Sequence, residues 1–206
     1  LRCLVGSEMC IRDSFIADNP DVPVVQMDSV IGNKSGKVLL TMFSRNTNLL
    51  LAFLRDHNTA RSVLDVFNDL YAMFGRETYC RLFPVILTDR GSEFSNPVPI
   101  EQDENDELRS LVFYCNPSAP YQKGGIEVAH ELVRRVLPKG KSFDDLQQED
   151  IDLMLSHINS YKRGKLNSRS AYQLFNFIYG DDILPKLNIR EIEANDIVLS
   201  PKLLKK

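Results

Sequence analysis

The sequence predicts an α/β domain in which three antiparallel strands, a helix, two further strands and a cluster of helices build a mixed sheet flanked by helices. Three observations predict it. Apolar, β-branched runs recur on short connections in the first third of the chain. A stretch with helical periodicity follows them. Two short apolar runs bounded by turn residues then precede a region where helical spacing dominates.

The elements follow in order. "VPVVQMDSVIG", from Val22, is a strand closed by Gly32. "GKVLLTMFSRNT" follows a turn at 33–36 and "NLLLAFLRD" a turn at 46–48, so the three runs read as an antiparallel meander. "TARSVLDVFNDLYAMFG" sets Val63, Val66, Phe67, Leu70 and Phe74 at helical spacing, with Thr59 as N-cap and Gly75 as C-terminal stop. "FPVILTD" is a fourth strand and "LVFYC" a fifth. Between them "EQDENDE", residues 101–107, reads as a solvated hairpin or loop; the alternative, metal binding, meets a ligand order that matches no calcium loop. A Pro-rich loop, "NPSAPYQKGG", leads into the helix "IEVAHELVRRVL", ended by Pro138. Further helices are expected near Gln148–Tyr161 and Ser170–Tyr179. The chain divides into residues 1–14, a leader foreign to the protein, residues 15–180, the core, and residues 181–206, a weakly patterned tail of unknown role.

Bulk properties narrow the class. At 206 residues the chain fits one domain with appendages, and 43% hydrophobic with 26% charged residues is ordinary for a globular protein. The net charge of −3 offers no global basic field, so any nucleic-acid contact has to come from local patches. The run Leu49 to Leu54 is far too short to cross a bilayer, and no membrane partner is expected. Four cysteines and three histidines lack the spacing of a zinc site or a disulfide framework, which fits a reducing, cytoplasmic setting. Cys115 is read as a packing residue rather than a reactive thiol. "LRCLVGSEMCIRDS" has neither the charged start nor the continuous apolar core of a secretion signal. It resembles translated adaptor DNA, and the natural protein is expected to extend upstream of Phe15.

Asp89 poses the functional question. It follows the apolar run Pro84-Val85-Ile86-Leu87 and precedes Arg90-Gly91, where a carboxylate either serves the turn or ligates a cation. Asp28 interrupts the first strand, where a charge is costly unless paired or coordinated. Glu127 opens a helix just after Gly124-Gly125, read as a hinge. The element order is that of a ribonuclease H-like fold: a five-stranded mixed sheet, three antiparallel strands then parallel ones, flanked by helices. That order sets the first and fourth strands side by side, brings Asp28 to Asp89 and carries Glu127 over both. Three such carboxylates need cations to coexist, and hard oxygen donors suit Mg²⁺ or Mn²⁺.

The segments "QMDSVIGNKSGKVLLT", "LTDRGSEFSNP", "FYCNPSAPYQKGGIEVAHELVRRVLPKGKSFDDL" and "HINSYKRGKLN" resemble the catalytic core of DDE transposases, in the insertion-sequence-thirty branch. The resemblance runs from Val22 to Gly180. It implies that Asp28, Asp89 and Glu127 are the catalytic and metal-binding triad, with two Mg²⁺ or Mn²⁺ ions. It also implies a homo-oligomer on DNA that nicks insertion-sequence terminal repeats and joins them to target DNA, in a bacterial cytoplasm and on the nucleoid. Arg134 stands at the seventh position after Glu127, where family members carry a basic residue. Arg90 departs from a usual Asn, and Val128-Ala129 from usual polar residues. The family's amino-terminal helix-turn-helix region, which recognises element ends, is not in this stretch.

Basic clusters supply the candidate DNA contacts: Gln122, Lys123, Arg134, Arg135, Lys139 and Lys141, then Lys162 and Arg163 with Lys165 and Arg169. The alternative is a solvated helix face. Gln122 and Lys123 are expected nearest the scissile phosphate. Glu131 shares a helix face with Glu127, but its own seventh position is Pro138, which favours Glu127 as the third ligand. Two other functions fit the same residues: a ribonuclease H-like nuclease that only hydrolyses, and an inactive DNA-binding fragment.

Overall fold

A computed structural model describes residues 15–33, 36–116 and 120–204; the leader expected at residues 1–14 lies outside them. Strands β1 (Val24–Ile31), β2 (Val38–Ser44) and β3 (Leu50–Arg55) form the antiparallel meander. Strands β4 (Val85–Thr88) and β5 (Leu111–Tyr114) join in parallel, β4 against β1, giving the order β3-β2-β1-β4-β5. This is the predicted mixed sheet. β1 lies at its centre, and Met27, Leu39, Leu40, Leu50 and Ile86 are almost wholly buried.

Helix α1 (Ala60–Leu82) starts as expected, with Thr59 and Ser62 closing a reciprocal capping box. Gly75, at φ 72° and ψ 165°, leaves helical geometry where the stop is expected; the chain kinks there, and a second helical run carries on to Leu82, with Tyr79 and Leu82 buried in the core. After the short α2 (Val98–Glu101) and β5 come α3 (Gly124–Val136), α4 (Gln148–Ser160), α5 (Ala171–Tyr179) and the short α6 (Ile183–Lys186). Residues 181–189 do more than trail: Ile183, Leu184, Leu187 and Ile189 bury into the same core. Among the described residues no helix is long and apolar enough to cross a membrane.

Side chains meet several of the open hydrogen-bonding groups on the two outer strands. On β3, Leu50 N–H donates to Asn159 Oδ1 at 2.9 Å and Asn159 Nδ2 donates back to Leu50 O at 2.8 Å. Gln148, three turns earlier on α4, repeats the exchange, accepting from Leu54 N–H and donating to Ala52 O. On β5, Val112 N–H donates to Glu101 Oε1 at 2.9 Å. Glu101 is therefore buried, whereas residues 104–107 are exposed in a hairpin that turns around Asp103. Glu101 and Asp103 of that stretch are thus structural, Asp103 accepting from Tyr71 and Arg76 with its side chain only 5% exposed, while residues 104–107 follow the expected solvated loop.

The C-terminal segment is pinned by His157 on α4, whose Nδ1 accepts from Val198 N–H at 3.1 Å. Burial, assisted by the charge of Arg190 and opposed by Asp196, holds its pKa below the usual histidine value. The neutral ring is the form that makes the bond, and the unfolded chain takes up the proton more readily. The stability from this contact is therefore complete above about pH 6.5 and is lost as pH falls from there through the lowered folded value. The urea midpoint should fall between pH 7 and pH 5, and fall less in His157→Gln. Equal falls in the two proteins would contradict this linkage.

Candidate active site

The parallel register sets the site. Val24 pairs with Val85, Val25 with Ile86 and Gln26 with Leu87; continued two residues further, the same register puts Asp28 level with Asp89. Each aspartate then uses its two oxygens in the same way. Asp28 Oδ1 accepts from Ser29 N–H at 2.8 Å, and Asp89 Oδ1 from Gly91 N–H at 3.0 Å. Both Oδ2 atoms turn to one ammonium, Lys123 Nζ, at 3.3 Å from Asp28 and 2.9 Å from Asp89. Asp89 thus performs the turn chemistry expected of its position and also faces a cation.

Lys123 is buried, its side chain only 9% exposed, between carboxylates exposed by 25% and 47%. Burial works against its charge, but the hydrogen bond to Asp89 and the charges of both aspartates prevail and raise its pKa. Glu127, one helical turn beyond Lys123, is exposed on the first turn of α3. Among the described residues no three His, Cys, Asp or Glu side chains converge closely enough to hold an ion. The structure therefore assembles the aspartate pair and leaves the glutamate beside it. The donors are hard carboxylate oxygens, and the seat between the two Oδ2 atoms already receives a cation. Residues of this kind fit Mg²⁺ or Mn²⁺.

Three polar tethers fix α3 along β1, each one turn from the next. At its start, Ile126 N–H, an orphan donor of the first turn, donates to Gln26 Oε1 at 2.8 Å, and Gln26 Nε2 donates to Gln122 O at 3.0 Å. In the middle, His130 Nε2 lies 2.8 Å from Thr41 Oγ1, whose proton goes to Asp28 O, so the ring donates. Burial lowers the pKa of His130, with Asp28 opposing and Lys123 and Arg134 reinforcing the shift. At its end, Arg134 Nη2 donates to Ile31 O at 2.9 Å. The glycines before Glu127 are helical rather than a hinge, and Gly125 is a close contact. Both lie inside α3, and a Cβ on Gly125 would sit 2.5 Å from the Phe43 ring and 2.9 Å from Gln26 Oε1.

A second network braces the loop after β4. Buried Arg55, its pKa depressed to about 10 by burial against the pull of Glu93, donates to Ser29 Oγ, Asn58 Oδ1 and Ser62 Oγ. Asn58 Nδ2 donates in turn to Glu93 Oε1 at 3.0 Å. Gln26, Thr41, His130, Arg55, Asn58 and Glu93 were not among the sequence candidates. Gln26 left one signal, a polar residue inside an apolar strand run, and Glu93 stands within "LTDRGSEFSNP".

The basic candidates separate into two places. Arg135, Lys139 and Lys141 are exposed, and Lys141 O lies beside Gly32, just past the end of β1. Arg134 is turned inward, and Gln122 Oε1 accepts from Asn116 N–H at 2.8 Å. Lys162 is exposed, whereas Arg163 is partly buried and donates to Asn48 O and Ile158 O. That ties residues 162–169 to the β2–β3 turn, where β1 begins, away from the aspartates.

The fold and its relatives define the class. No family model matches the chain. It is 28% identical over 151 residues to the putative integrase ORF3 of Spiroplasma virus SpV1-R8A2 B, covering 73% of this chain and 45% of that protein. It is 22% identical over 147 residues to the transposase InsI for insertion sequence element IS30A of Escherichia coli (strain K12), covering 71% of this chain and 36% of that protein. The chain thus spans less than half the length of these relatives. A chain of the simian T-cell lymphotropic virus intasome in complex with PP2A regulatory subunit B56 gamma matches with a TM-score of 0.53 at 16% identity, over 82% of this chain and 58% of that one. The fold is ribonuclease H-like. Within that class the relatives are integrases and transposases, insertion-sequence-thirty transposases among them, as the motifs implied.

Gln26 is the residue on which the start of α3 rests. In Gln26→Leu, hydrogen–deuterium exchange of the Ile126 amide should accelerate by roughly tenfold or more, the scale of one lost buried hydrogen bond. Unchanged exchange there would show that the helix start is held by packing alone.

Proposed function

We propose that this chain is the catalytic core of a transposase that nicks DNA at insertion-sequence ends and joins the freed 3′ ends to target DNA. The observation that carries the reading is the pair Asp28 and Asp89, brought level on neighbouring parallel strands with a shared cation between their Oδ2 atoms. In a chain related to transposases and integrases, that pair is the natural seat for ions. Asp28 and Asp89 would hold one between them, and Glu127 would supply the third carboxylate. When bound, two divalent ions supply activation of the attacking hydroxyl and charge neutralisation at the leaving oxygen. The protein's own residues orient the site. Ser29 and Gly91 N–H groups fix the carboxylate planes, and Gln26 and His130 hold the helix that presents Glu127. The fold works in the bacterial cytoplasm on this reading, as a homo-oligomer assembled on DNA.

Asp28→Asn, Asp89→Asn and Glu127→Gln should each lower nicking of duplex DNA with Mg²⁺ or Mn²⁺ by about a thousandfold or more, the scale of several kcal/mol of lost charge stabilisation. Glu131→Gln should keep measurable activity. Nicking without joining would make the protein a nuclease, and DNA binding with neither would make it an inactive fragment. Loss in Glu131→Gln but not in Glu127→Gln would move the third carboxylate to Glu131.

DNA affinity should fall linearly with the logarithm of salt concentration. Lys139→Ala and Lys141→Ala should each reduce that slope by about one, and Lys162→Ala, at the other end of the sheet, should leave it alone. Equal effects from all three would detach the DNA path from the aspartate end.

A further inference from the structure

We propose that the Lys123 ammonium is a built-in counter-cation for Asp28 and Asp89, holding the two carboxylates together when no divalent ion is bound and surrendering its seat when one arrives. The inference rests on reading the two aspartates as ion ligands. Its basis is the matched use of their oxygens. Each Oδ1 is taken by a backbone N–H, and each Oδ2 faces Nζ, at 3.3 Å and 2.9 Å. An ion bridging the pair needs those same Oδ2 atoms, so ammonium and ion exclude one another by volume as well as by charge.

Without either cation, two carboxylates level on adjacent strands would repel across a partly buried site. A lysine suits the task of temporary occupant. Its ammonium is a compact point charge on a flexible four-carbon stem, whereas a guanidinium would grip the pair through a rigid bidentate fork. The backbone need not move for the exchange, because Gln26, Thr41 and Ile31 tether α3 independently of Lys123. The aspartates, exposed by 25% and 47%, leave a solvent route for the incoming ion. Lys123 is thus a positioning residue for the ion-free site, and exchange of one cation for the other keeps the local charge from ever being uncompensated.

The test compares Mn²⁺ binding, read from the EPR signal of free Mn²⁺, with thermal unfolding in EDTA and in saturating Mn²⁺. Lys123→Met should bind Mn²⁺ about tenfold or more tightly than the wild type, unfold at a lower temperature in EDTA, and recover that difference in Mn²⁺. Asp28→Asn should lose binding. In the wild type, ¹³C-labelled lysine NMR should show the Lys123 Cε resonance moving to a solvated value on Mg²⁺ addition, which reads displacement even if Lys123→Met fails to fold. If Asp28→Asn abolishes binding while Lys123→Met binds no tighter and the lysine resonance stays fixed, the counter-cation role falls and the ion site stands. If the wild type and Lys123→Met both fail to bind Mn²⁺, or Asp28→Asn binds it normally, the ion-ligand reading falls and takes this inference with it.

Discussion

Parallel pairing of β1 with β4 brings Asp28, within β1, beside Asp89, just past the end of β4, and the rest of the site answers that constraint. Asp28 stands inside a strand whose other residues are largely buried, so its charge has to be compensated locally. Asp89 emerges where β4 ends and can reach solvent and its own turn. The register alone therefore makes a cation-demanding seat, and Lys123 meets the demand from a third element, the start of α3. The helix, the loop after β4 and the β3–α1 connection are each arranged so that this seat keeps its shape.

Polar groups do that arranging from inside the apolar frame. Gln26 is two residues from Asp28, on the same face of β1, and spends both ends of its amide on α3 and the segment before it. Thr41, directly opposite Asp28 in the antiparallel pair, passes its proton to Asp28 O and receives one from His130. Such buried networks are favourable because their members are satisfied; removing one leaves its neighbours dry and unpaired. The ionic site and its scaffold consequently share residues, and a change in either is felt by both.

Much of the frame was legible from apolar spacing. Strand periodicity located all five strands, Thr59 announced α1, and the order of elements placed β1 beside β4. Gly75 was legible as the break in helical geometry that it is, and only the buried Tyr79 and Leu82 beyond it show why a second helical run follows. Asp28 and Asp89 were readable because a charge within or just after an apolar run is conspicuous. Lys123 was readable as basic but not as buried, since nothing local reveals that its partners lie 95 and 34 positions earlier. Gln26, His130 and Glu93 escaped for the same reason. Their roles are contacts between distant segments, and no period along the chain records such a contact.

The amide and carboxylate side chains that finish β3 and β5 also constrain how copies of this protein can meet. A sheet with a bare outer strand invites another chain to continue the ladder, the route to strand addition and to aggregation. On β3, Leu50 N–H and O, Ala52 O and Leu54 N–H are already taken by Asn159 and Gln148. A further strand added along β3 would have to displace those amides first.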